Sequence, residues 1–184
     1  MGRLILLVGK TSSGKDTIAR YIKDAYGINQ VVSYTTRPKR PSETNGVEHI
    51  FVTDEEMDSI FATQNIIAHT EFNNTRYCAT AQQLEDGDKV YIIDPNGVRE
   101  LAGLPLLNKV VIYVDLDEDI IVDRAIKRGD TPFDVKMRLA NERKLFDDFK
   151  AKKSYDFLIN TDCSLELVFS KVDSILNKSG FNKI

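Results

Sequence analysis

The sequence predicts an α/β protein: a parallel sheet covered by helices, with a small, mostly β subdomain set into it. Three observations carry this. Residues 4–8 form a continuous apolar run, as a strand buried on both faces of a sheet would. A glycine-rich turn follows at once, GKTSSGKDT at residues 9–17, and then Ile18, Tyr21, Ile22 and Ala25 recur at helical spacing. The same alternation of β-branched runs and helical patterns returns after residue 88, whereas residues 31–87 hold short strand-like runs with polar connections.

The elements follow in order. After the first strand and helix, candidate strands lie at 31–34, 48–53, 66–72 and 76–80, with one helix around 54–62 between them. KVYIID at 89–94 and KVVIYVD at 109–115 read as buried strands, and YDFLIN at 155–160 as another. Residues 117–128 and 132–150 read as helices. The second opens on Thr131-Pro132-Phe133-Asp134, a hydroxyl cap, a proline at the first helical position and an acid three places after the cap. A last helix covers about 164–176. A chain of 184 residues without repeats, low-complexity tracts or long linkers is expected to be one domain.

The loop carries the strongest chemical signal. A glycine-rich turn between a buried strand and a helix turns backbone N–H groups and a helix N-terminus toward an anion. Gly9 and Gly14 let the backbone come close to it, and Lys15 supplies a cation. At average residue frequencies G-x4-G-K-x-T arises by chance in about 0.3% of chains this long. The core is therefore of P-loop NTPase type, with Gly9, Ser12, Ser13, Gly14, Lys15, Asp16 and Thr17 as the ATP-binding loop. Asp16 stands where Ser or Thr is usual. Two readings are open for it: it holds Mg²⁺ through water, with Thr17 offering its hydroxyl to phosphate or metal, or it favours the helix N-terminus electrostatically.

Composition excludes other classes. A formal net charge of −3 argues against a general nucleic-acid binder. Cys78 and Cys163 form no CxxC, and only His49 and His69 could join them, so a zinc site or disulfide framework is not expected. Reduced thiols point to the cytoplasm. The apolar run after Arg3 is too short for a signal h-region or a membrane span.

Arg37, Lys39 and Arg40, flanked by Pro38 and Pro41, form a compact basic turn in an acidic chain. Arginine suits bidentate phosphate binding, and beside a phosphate loop the turn suggests a kinase with a phosphate-bearing acceptor. At this point the sequence resembles the guanylate kinase family. The resemblance runs through GKTSSGKDT, SYTTRPKRPSETNG at 33–46, Tyr77, DPNG at 94–97, RAIKRG at 124–129, KMRL at 136–139 and INTD at 159–162. It implies that Arg37, Arg40 and Tyr77 hold the acceptor monophosphate. It implies too that Arg124, Arg128 and Arg138 reach ATP phosphates from a closing helical lid, and that Asn160 lies near adenine. Arg124 and Arg128 at i, i+4 share a helix face. The expected divisions are a core of 1–32, 88–123 and 141–184, an acceptor-binding subdomain of about 33–87 and a lid of about 124–140.

The chain departs from the family around the base. By the same resemblance, Ala68 and Ala79 replace a Glu and a Ser that face guanine, His49 replaces a phosphate-binding Tyr, and Ile92 replaces an Asp. Ser33 and Asp94 are kept, and Glu71 and Thr80 are candidates for the missing contacts. The acceptor-binding set is thus Ser33, Arg37, Arg40, Glu43, His49, Glu71, Tyr77, Thr80 and Asp94. The expected activity is ATP- and Mg²⁺-dependent phosphorylation of GMP or dGMP, with Lys15, Arg37, Arg128 and Arg138 as catalytic cations. Asp16 and His49 also resemble positions of ribose 1,5-bisphosphate phosphokinases, which keeps that activity as an alternative, beside phosphorylation of another nucleoside monophosphate by an enzyme of the same superfamily. A non-catalytic guanylate kinase-like binding domain is a third reading, weakened by the retention of Lys15 and the lid arginines. The expected partners are ATP and a small phosphorylated acceptor, with no nucleic acid and no membrane, in a monomer or homodimer.

Overall fold

The structure, a computed structural model, describes residues 2–40, 43–72, 74–104 and 108–184; Pro41 of the basic turn lies outside them. The core is a five-stranded sheet in the order β2-β7-β1-β8-β9, parallel throughout. Its strands are β1 (Leu4–Val8), β2 (Asn29–Gln30), β7 (Lys89–Ile92), β8 (Lys109–Asp115) and β9 (Phe157–Asn160). The central strand explains its own composition. Ile5 and Leu7 pack with Ile18 and Ile22 of α1 (Lys15–Tyr26) and Val172 and Ile175 of α6 (Leu165–Lys178). Leu4, Leu6 and Val8 pack with Leu101 of α3 (Pro95–Ala102) and with Phe146 and Phe149 of α5 (Pro132–Ala151). Both faces are covered, so no polar residue is tolerated in β1.

The second sheet has the order β4-β3-β6-β5, from β3 (Tyr34–Thr35), β4 (Ile50–Phe51), β5 (Ile66–Phe72) and β6 (Thr75–Thr80). β5 and β6 pair antiparallel, and α2 (Asp54–Thr63) seals them by packing Met57 and Ile60 with Cys78. Ile67, Ala68 and Ala79 join the cluster that also holds Leu4 and Leu101, so this sheet is anchored on the core. α4 (Glu118–Arg128) packs Ile121 and Ala125 with Val135 and Leu139 of α5.

Several expected boundaries move, each for a local reason. The stretch expected as one strand at 31–34 is a crossover. Val31 still donates to Val90 O beside the core sheet at 2.8 Å, and the chain then enters the second sheet at Tyr34. The expected 48–53 strand shortens to Ile50–Phe51. Asn45 Oδ1 accepts the Phe51 N–H, and Thr53 becomes the N-cap of α2 in a capping box with Glu56. The strand expected at 89–94 stops at Ile92, because Asp94 caps a helix the sequence reading lacked, α3. Pro95 at its first position is a start signal, but the helix is only eight residues long and follows directly on an apolar strand run that ends in its cap. The strand expected at 155–160 begins at Phe157; before it, the Tyr155 ring packs at a tilt against Tyr113 and Phe149, and the Asp156 carboxylate accepts the Val111 N–H. α5 starts as read, with Thr131 Oγ1 accepting the Asp134 N–H.

Leu6 is fully buried in β1, whereas Leu158 on β9 is 40% exposed. Leu6→Ala should cost about 2–5 kcal/mol in urea unfolding, through lost transfer energy and the cavity left behind. Leu158→Ala should cost less than about 1 kcal/mol.

Candidate active site

The loop after β1 leaves the sheet at the carboxyl ends of its strands, where open α/β sheets present ligands. Gly9 is required by space: a Cβ there would lie 2.3 Å from Val114 O and 2.9 Å from Ser13 Oγ. Gly14 turns the chain into α1 at φ +100°, a left-handed conformation that favours glycine. No side chain caps the start of α1, and the first N–H groups of a helix have no acceptor within it. Lys15 Nζ donates to Gly9 O and Lys10 O, both at 2.7 Å, and burial pushes its ammonium down from the ordinary lysine value. Behind the loop, the Thr161 hydroxyl donates to Ser13 O at 2.9 Å, and Arg124 donates to Thr161 O at 2.7 Å. Lys10 is buried and paired with Glu118 at 2.9 Å and Asp147 at 2.7 Å.

Across the cleft the second sheet carries its own cations. Arg37 forks onto Glu43, with its two terminal nitrogens 2.7 and 3.0 Å from the carboxylate oxygens. The Arg40 N–H adds a third bond to Glu43 at 2.8 Å. Burial opposes ionisation of Glu43, but the bonds from Arg37 and the Arg40 N–H outweigh it and hold the carboxyl at about 2. Glu43 therefore orients Arg37 within the site. Ser33 Oγ lies 3.0 Å from His49 Nδ1, and burial and the Arg37 charge push that imidazole down, toward its neutral form.

These halves line one cleft of about 470 Å³. Gly9, Ser12, Lys15 and Asp16 come from the loop, Ser33, Arg37, Arg40, Glu43, His49, Glu71 and Tyr77 from the second sheet and its connections, and Tyr91 and Asp94 from the core. Arg128 at the end of α4 and Arg138 on α5 complete it. Burial and the charges of Arg37, Arg128 and Arg138 push the Arg40 guanidinium down, so cations from both sides of the cleft act on one another. Asp94 spends Oδ1 on the N–H groups of Asn96 and Gly97. A second cavity of about 460 Å³, on the far side of the loop, is lined by Ser12, Gly14, Asp16, Thr17, Arg124, Arg128, Thr161 and Leu165, among others.

Asp16 reaches both cavities, Thr17 only the second. Ser13 is fully buried beneath the loop. Thr80 is 1% exposed, sits at the start of the 3-10 turn Ala81–Leu84 and lines neither cavity. Asn160 lies at the end of β9, its side-chain oxygen accepting the Asp162 N–H, and also lines neither. Ala68 lines the cleft, while Ala79, its partner across β5 and β6, is buried behind it. The sequence reading missed Glu142 and Tyr91. Glu142 lies one helical turn after Arg138, which was the available signal; Tyr91 sits inside an apolar strand run and gave none.

A parallel sheet with a phosphate loop at its centre, facing an arginine-lined cleft built on a second sheet, defines a P-loop nucleotide-binding α/β protein. The model of the guanylate kinase family matches residues 1–179, and the chain belongs to that family. It is similar to the guanylate kinase of Streptomyces coelicolor, 32% identical over 166 residues that cover 86% of this chain and 83% of that one. Its similarity to the guanylate kinase of Thermobifida fusca is 33% over 168 residues, 86% of this chain and 84% of that one. The crystal structure of guanylate kinase from Anaplasma phagocytophilum shares the fold, with a TM-score of 0.70 at 21% identity over 97% of this chain and 86% of that chain.

Gly9→Ala should displace the loop from β8, and nucleotide affinity should fall at least tenfold in titration calorimetry. Glu43 makes an acid-limb prediction. Its carboxyl is lowered from 4.5 to about 2 on folding, so its contribution is fully present above about 4.5 and is lost as pH falls toward 2. Urea unfolding of Glu43→Gln should therefore show lower stability than the parent at pH 7 and a smaller further loss between pH 4.5 and 2.

Proposed function

We propose that the protein transfers the γ-phosphoryl group of ATP to the phosphate of GMP or dGMP. The observation that carries this reading is the single cleft in which the phosphate loop and the Arg37–Arg40 pair face one another, with Arg128 and Arg138 between them. The names of the relatives support guanine as the acceptor's base.

Phosphoryl transfer needs alignment and charge neutralisation more than covalent chemistry. The uncapped start of α1 and the loop N–H groups cradle the donor's phosphates, and Lys15 leaves its loop carbonyls to follow the transferring group. Arg37, held by Glu43, and Arg40 and Tyr77 fix the acceptor's phosphate. Arg128 and Arg138 neutralise the charge that spreads between the two. Ser33, Glu71 and Asp94 face the rest of the acceptor, and Ala68 leaves an apolar stretch of wall where the base lies. The apolar side of the second cavity, with Ile18, Leu165 and Val168, suits the donor's base. Closing the cleft excludes water, which would otherwise divert the phosphoryl group.

Asp16 and Thr17 fit a magnesium ion: one exposed carboxylate and one hydroxyl on the first turn of α1 match an ion that keeps several waters and takes few protein ligands beside phosphate oxygens. When bound, the ion would neutralise phosphate charge. Among the described residues no cluster of three or more His, Cys, Asp and Glu offers an all-protein metal cage, and no helix is long and apolar enough to cross a membrane.

An ADP-release assay across GMP, dGMP, AMP, UMP, CMP, dTMP and ribose 1,5-bisphosphate tests the reading. GMP and dGMP should be the best substrates; activity with the sugar bisphosphate alone would overturn the assignment. Lys15→Ala should lower kcat on the order of 100-fold or more. Arg37→Ala should raise the acceptor's KM on the order of tenfold or more while leaving the ATP KM nearly unchanged.

A further inference from the structure

We propose that Glu142 gates the donor site: its carboxylate holds a phosphate-loop N–H that the donor's phosphate chain needs, and α5 withdraws it when donor binds. The inference rests on the loop's being the donor's phosphate cradle. Thr11, in the middle of that loop, donates its backbone N–H to Glu142 Oε2 at 2.8 Å. Both residues line the cleft. Glu142 is also within electrostatic reach of Lys15, Arg138 and Lys10, the cationic surroundings a phosphate would occupy. Burial raises its carboxyl from the ordinary value, against the pull of the Thr11 N–H and those cations. A carboxylate there competes with phosphate twice, by occupying a donor N–H and by repelling a like charge.

The same helix explains how the contact is released. Arg138 and Glu142 stand four residues apart on α5 and share a face, so the acid cannot leave the loop without moving the arginine. Next to Glu142, Arg143 is tied to Glu118 at 2.6 Å, and further along α5 Asp147 is tied to the loop residue Lys10. These ties couple the loop, α4 and α5. Arg138 faces Arg40 of the acceptor side, so acceptor phosphate attracts Arg138 and draws Glu142 off the loop. Donor affinity therefore rises when acceptor is present, which limits idle occupation of the cradle. By linkage the effect is reciprocal.

The test is titration calorimetry of Mg·ATP against the protein and its Glu142→Gln and Glu142→Ala variants, with and without GMP. Both variants should bind ATP on the order of tenfold tighter than the parent, as expected when a buried competing charge is removed. GMP should tighten ATP binding in the parent and much less in the variants. In steady-state assays the ATP KM should fall in the variants at low GMP, and the difference from the parent should shrink as GMP approaches saturation, a dependence that a merely structural role would not produce. If Glu142→Ala does not fold, Glu142→Gln carries the comparison. In the parent, the Thr11 amide resonance should shift on adding ATP. ATP affinity unchanged or weakened in the variants, or a Thr11 amide that ignores ATP bound to the parent, overturns the gate alone. Failure of ATP to bind the parent and every variant overturns the donor-site reading, and the gate with it.

Discussion

Positive charge has to be crowded into one cleft of an otherwise acidic protein, and the rest of the structure depends on how that crowding is tolerated. Lys15, Arg37, Arg40, Arg128 and Arg138 line the same cavity. Arg40 is destabilised as a cation by its burial and by three other arginines. Internal substitutes hold the others in place. Lys15 leans on loop carbonyls, Arg37 on Glu43, Arg128 on Asp130, and Glu142 sits among Lys15, Arg138 and Lys10. Each of these stand-ins occupies cationic or N–H capacity that phosphate oxygens would otherwise use. On the proposed reading, phosphate binding is an exchange of partners rather than the filling of an unsatisfied site, and its free energy is the small difference between two well-compensated states.

The fold makes this exchange workable by splitting the cations over bodies joined through short connections. The core sheet fixes the phosphate loop, because β1 is packed on both faces and Gly9 touches the backbone of β8. The second sheet carries Arg37 and Arg40 on a turn stiffened by Glu43. α4 and α5 bring Arg128 and Arg138 on a small cluster of their own, Ile121, Ala125, Val135 and Leu139. That cluster is separate from the two that flank the core sheet, so α4 and the start of α5 can shift without opening the core. Acids at Glu118, Asp147 and Glu142 then tie this unit to the loop.

How much of this was legible in the sequence follows from the range of each interaction. β1 and the loop were readable because their signals are local: an unbroken apolar run, two glycines and a lysine at fixed spacing. α5 was readable from its Thr131-Pro132 start. α3 was missed because its cap also closed a strand, so Asp94 was read into β7. The site followed the same rule. Arg37 and Arg40 stand in a dense motif and do line the cleft, as does Tyr77, an isolated match to the same family. Thr80, a candidate for the missing base contacts, is buried instead, because the end of β6 is covered on both faces: Cys78 and Ala79 beside it are buried too. Glu142 had only helical spacing to recommend it, and its partner, the Thr11 amide, is 131 residues away in the chain. Partners set by tertiary packing, not by neighbours in sequence, were what residue patterns could not supply.

In the proposed reaction the loop and the Arg37–Arg40 turn grip the two ends of a single phosphate chain. Titration calorimetry with a bisubstrate analogue, adenosine and guanosine joined through five phosphates, tests it most directly. One molecule should bind per chain, with affinity well above that of ATP or GMP alone and lost in either Lys15→Ala or Arg37→Ala. An analogue that binds no tighter than ATP, and is indifferent to Arg37→Ala, would contradict it.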